Sequence, residues 1–83
     1  MREAEETLRY GPPVKRSVLI SGHPTSISLE PIFWRALDIS ARDCGLPMNA
    51  LVAQIDAARL NCPDPPNLTS ALRQWLFARA LSG

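Results

Sequence analysis

The stretch Thr25-Ser26-Ile27-Ser28-Leu29-Glu30-Pro31 alternates polar and apolar residues and then reaches a proline that opens a helical pattern. A period of two is the mark of a strand with one wet face and one buried face. Ile27 and Leu29 share the side turned to a core, while Ser26 and Ser28 point the other way. One short strand cannot bury a face alone. Because helical segments follow it, a chain of this kind usually needs a second copy of itself to complete the sheet.

The size of the chain points the same way. With 83 residues, 46% of them hydrophobic, it makes one domain too small for a large private core, so association is the expected route to stability. A formal net charge of +1 excludes a chain-wide attraction to nucleic acid or anionic membrane. Any such affinity has to come from local clustering, and Lys15 with Arg16 is the candidate. Cys44 and Cys62 lack the density of a disulfide scaffold, and Glu3, Glu5 and Glu6 stand where a signal sequence would be apolar. No apolar run is long enough to span a bilayer. The expectation is a soluble, unexported, cytoplasmic protein.

Residues 1–13 read as a flexible arm closed by Gly11-Pro12-Pro13, and residues 14–83 as a single domain. The domain opens with a β-type run from Val14 to Ser21, then Gly22-His23-Pro24 as a turn before the Thr25 strand. The two strands either form a hairpin, or the first crosses to a partner subunit. Pro31 suits the first turn of a helix that runs to about Asp43, with Phe33, Leu37 and Ser40 or Ala41 on its buried stripe and Ala36 and Cys44 beside them. Arg35, Asp38 and Arg42 take the wetter side. Gly45 supplies the left-handed position that ends the helix. Met48, Leu51, Val52, Ile55 and Ala58 or Arg59 form the next stripe, which predicts a second helix from Met48 to Leu60.

The proline-rich turn at 61–66 breaks that helix, and Asn67 is a competent cap for a third over 67–82, lined on one side by Leu68, Leu72, Trp75, Leu76 and Ala80. Phe77 and Leu81 make this helix apolar nearly all round. It is therefore expected to pack on the dimer body close to the second helix, with Trp75 as main anchor and Arg73 and Arg79 toward solvent. His23 has no nucleophile beside it at a catalytic spacing, and no glycine-rich phosphate loop occurs. His23, Cys44 and Cys62 lie too far apart for a local zinc site. No enzymatic activity, cofactor or metal is expected, and Trp34 and Trp75 read as core or interface anchors.

Lys15-Arg16-Ser17, Gly22-His23, Thr25 to Glu30, Phe33-Trp34, Gly45-Leu46, Ile55-Asp56 and Asn67 to Arg73 together resemble a family of small bacterial ribbon-helix-helix domain proteins described as predicted DNA-binding proteins. The resemblance covers most of the chain. It implies an α+β fold, an intertwined homodimer in which the Thr25 to Leu29 strands pair antiparallel about a two-fold axis, here with an extra N-terminal strand and a third C-terminal helix. The paired ribbon enters the major groove of double-stranded DNA. Carried over position by position, Ser26 and Ser28 meet base edges, while Ile27, Leu29, Phe33, Leu37, Leu51 and Ile55 form the dimer core. Met48 and Asn49 begin the second helix, where the superfamily aims backbone N–H groups at a DNA phosphate. Lys15 and Arg16, doubled in a dimer, are the expected backbone anchors.

The reading from sequence is a DNA-binding homodimer acting in transcription regulation. Its rival is a dimeric protein-interaction module or antitoxin-like partner of the same fold, with a protein partner held through the C-terminal helix and no sequence-specific reading of DNA.

Overall fold

The computed structural model describes residues 10–83, so the arm expected over residues 1–13 lies outside the described residues apart from Tyr10 to Pro13. Strand β1 (Val14–Ile20) and strand β2 (His23–Leu29) pair antiparallel in register from Ile20 opposite His23 to Val14 opposite Leu29. The partner for the alternating strand is thus the preceding segment of the same chain. The turn is Ser21-Gly22, one residue earlier than the sequence suggests, and both residues have positive φ, 50° and 82°. Two such residues make the type I′ turn, whose twist matches that of the flanking strands, and His23 and Pro24 are thereby freed to extend β2.

Three helices follow, α1 (Pro31–Cys44), α2 (Met48–Leu60) and α3 (Leu68–Ser82). Gly45, at φ 69°, ends α1 in a left-handed turn in which its own N–H bonds Arg42 O and the Leu46 N–H bonds Ala41 O. That pair of bonds satisfies carbonyls the helix end would leave unpaired. The Asn67 side chain accepts from the Ser70 N–H at 2.8 Å, as its cap position requires. Between α2 and α3, Arg59 donates both to Asp56 (2.8 Å) and to the carbonyl of Pro66 (3.0 Å), clamping the proline-rich connection onto α2.

The core lies between the hairpin and the helices. Val18, Ile20, Ile27 and Leu29 meet Trp34, Leu37, Ala41, Leu51, Val52, Ile55, Ala71, Leu72 and Leu76, all buried. Of the residues expected to form a dimer core, Ile27, Leu29, Leu37, Leu51 and Ile55 are buried within this one chain, and Phe33 is half-buried against them. Cys44, Ala58 and Ala80, placed beside or on apolar stripes by their spacing, are exposed. Each sits in the last turn of its helix, where the packed stripe runs out.

Helix α3 packs chiefly on α2 and also touches α1 and β2. Its anchor is Leu72, fully buried, flanked by Ala71 and Leu76; Trp75 is only half-buried. This corrects the expectation for Trp75. Arg73 and Arg79 are corrected too, since they do not simply face solvent. Arg73 pairs with Glu30, and Arg79 pairs with Asp43 at 3.1 Å while lying over the Trp75 ring. A long planar cation gains more by covering an aromatic face and meeting a carboxylate than by extending into water.

Candidate nucleic-acid interface

The hairpin register decides which side chains share a face. Residues directly opposite point the same way, so Lys15 lies beside Ser28, Ser17 beside Ser26, and Leu19 beside Pro24, on the side away from the helices. Arg16, opposite Ile27, belongs to the other side. The basic pair that the sequence presents as a unit is therefore split. Lys15 stands on the outer ribbon face with the two serines, whereas Arg16 lies over the ring of Trp34, its guanidinium 4.8 Å from the ring centroid. Trp34 is itself buried and donates its Nε1–H to the Val14 carbonyl at 2.9 Å, which fixes the start of β1 to α1. The pleat alone puts consecutive strand residues on opposite faces, and the Ser21-Gly22 turn decides which of the two basic residues faces outward.

The hairpin also leaves one edge of β2 open. In a two-residue hairpin the pair flanking the turn exchanges backbone hydrogen bonds, and the alternation assigns the bonding pairs to Thr25, Ile27 and Leu29. The N–H and C=O groups of Ser26 and Ser28 consequently face away from β1. Pro24, on the same edge, has no N–H to offer.

At the other end of the helical layer, the Ala50 and Leu51 N–H groups bond the Pro47 carbonyl, so the Met48 and Asn49 N–H groups have no acceptor within α2. Pro47 provides no side-chain cap. Met48 borders a shallow cleft whose walls include Arg16, Trp34, Arg35 and Asp38. Arg35 escaped attention in the sequence because on α1 it reads only as part of a solvated stripe.

Glu30 joins β2 to α1. Arg73, from α3, donates to its Oε1 through Nη2 (2.8 Å) and Nε (3.3 Å). These bonds, and after them the residue's own backbone N–H, hold the Glu30 carboxyl below its ordinary value of 4.5. A depressed carboxylate pKa means that the pair stabilises the fold at neutral pH and ceases to do so as pH falls through the folded-state value. Glu30→Gln is accordingly expected to show a smaller fall in thermal midpoint than the native chain on acidification below 4.5. Equal acid sensitivity in the two melting series would show the pair to be energetically idle.

Among the described residues there is no group of three or more metal-binding side chains, and no helix is long and apolar enough to cross a membrane. A ribbon-helix-helix domain family model matches residues 13–80, which is nearly the whole described chain. The chain belongs to that family, whose fold is typically a DNA-binding one, with members that typically form dimers. No characterised protein and no solved structure gives a significant match.

Proposed function

We propose that the protein binds double-stranded DNA as a homodimer and acts in transcriptional control, reading the major groove with the outer face of its hairpins. The observation that carries this reading is the outer face itself, where Lys15, Ser17, Ser26 and Ser28 stand together beside an open β2 edge. Pairing of two open edges would align Ser26 and Ser28 of both copies along the centre of a sheet ordered β1-β2-β2-β1. At ~4.8 Å between strands the outer strands would lie ~14 Å apart, wider than the ~12 Å major groove. Only the central pair can then sit deep in the groove. The two β1 strands lie over its walls, where Lys15 meets phosphate, and the Met48 and Asn49 N–H groups supply a further phosphate contact.

Lys15→Ala is expected to weaken binding to every sequence and to flatten the salt dependence, because each phosphate neutralised contributes about 0.9 to the slope. Ser26→Ala with Ser28→Ala should leave the fold intact and alter sequence preference. Fluorescence anisotropy across a salt series reads both effects. If Lys15→Ala leaves affinity and slope unchanged, the outer ribbon face is not the DNA surface. Arg16→Ala is the contrasting variant: it should lower thermal stability, since it removes the group lying over Trp34.

A second reading rests on α3. Phe77 and Leu81, one turn apart, are 65% and 74% exposed, a surface suited to a protein partner. Phe77→Ser with Leu81→Ser separates the two, because it should leave DNA binding intact while abolishing any such association.

A further inference from the structure

Glu30 follows directly on β2 as the residue that caps α1, two positions past Ser28, and its carboxylate is turned toward Arg73 of α3. Its Cα stands two residues beyond that of Ser28, which is about 7 Å along an extended chain. If Ser28 reaches a base edge, Glu30 lies within a Debye length of it, about 8 Å at physiological salt, so solvent ions would screen its charge from the flanking phosphates only in part. A dimer would carry this liability twice. The carboxylate is not left bare, however. Two donors of Arg73 converge on the same oxygen, at 2.8 and 3.3 Å, and the guanidinium lies 5.5 Å from the centroid of the Phe33 ring. The aromatic ring lies against the cation while its donors are turned to the carboxylate.

We propose that Arg73 is a charge mask for the DNA-binding face, a positioning residue on α3 that neutralises Glu30 at the end of the reading strand. This rests on the DNA-binding reading above. It gives the third helix a part in recognition although it presents no side chain to the groove. Phe33 serves as the platform that holds the mask in place.

The test is a charge cycle measured on the duplex that the wild-type protein enriches from a random-sequence pool, with circular dichroism to confirm that each variant is folded. Arg73→Gln should weaken binding about threefold to tenfold by exposing the carboxylate, and Arg73→Lys, which keeps the charge, should stay within about twofold of wild type. Glu30→Gln should bind at least as tightly as wild type, and adding Arg73→Gln to it should cause no further loss. That rescue is what a merely structural tie would not produce. Should Arg73→Gln fail to fold, Glu30→Gln alone still decides, because a structural tie predicts weaker binding from it and a mask predicts none. A folded Glu30→Gln that binds more weakly than wild type overturns the proposal. So does a loss from Arg73→Gln that persists in the Glu30→Gln background, which would make Arg73 a direct phosphate contact. Both of these leave the DNA-binding reading standing, whereas a wild-type protein that enriches no duplex removes that reading and the mask with it.

Discussion

Leu29→Asp abolishes folding in the outcome expected here. Leu29 is completely buried where the hairpin meets the helices, in a core cluster whose Leu37, Val52 and Leu72 are equally closed to solvent. A carboxylate placed among them has no donor and no water. Leaving a charge unpaired in such a site costs several kcal/mol even after the group neutralises, and small domains have only about 5 kcal/mol to lose. The amide spectrum should lose its dispersion and the far-ultraviolet signal its cooperative melt. Ser28→Asp is the control, one residue away and facing outward, and it should fold. A native-like spectrum for Leu29→Asp would contradict the packing described.

Removal of α3 by truncation after Asn61 is the second large expected effect. The helix contributes Ala71, Leu72 and Leu76 to the core, and its loss would open the faces of α1, α2 and β2 that it covers. Leu72→Ala isolates the central contact, and for a fully buried leucine the expected cost is about 2–5 kcal/mol. Trp75→Ala should cost less than Leu72→Ala, the reverse of what residue size suggests, since Trp75 is only partly enclosed. Urea denaturation of the two substitutions and a melt of the truncated chain check this. A truncated chain as stable as the full one would make α3 an independent arm.

Both results bear on how the domain gains its stability. The sequence argues for a dimer from an isolated alternating strand, yet the strand is not isolated: β1 folds back on it and the core closes within one chain. An incentive for dimerisation that survives this closure is the open edge of β2. An unpaired edge is a template for another strand, and a strand that presents serine hydroxyls on one face and buries Ile27 and Leu29 on the other can pair there without exposing its core.

Much of the architecture was written in local chemistry. Alternation defined β2, Pro31 and Gly45 bounded α1, the Met48 stripe defined α2, and Asn67 opened α3, because each of these signals acts on backbone dihedrals or hydrogen bonds within a few residues. The resemblance carried by motifs spread along the chain was enough to indicate the family. Undecidable from sequence was every property that depends on which elements meet. Lys15 and Arg16, as neighbours in a strand, take opposite faces in any register, but which of them faces outward is set by the Ser21-Gly22 turn, and a shift of one residue would exchange them. The pairs Glu30–Arg73 and Asp43–Arg79 join residues 43 and 36 positions apart, and no spacing rule links such partners. Charges find each other only after apolar burial has fixed the helices in place, so the sequence determined the elements and their faces, while tertiary packing decided which charges are spent in pairs and which remain to meet a ligand.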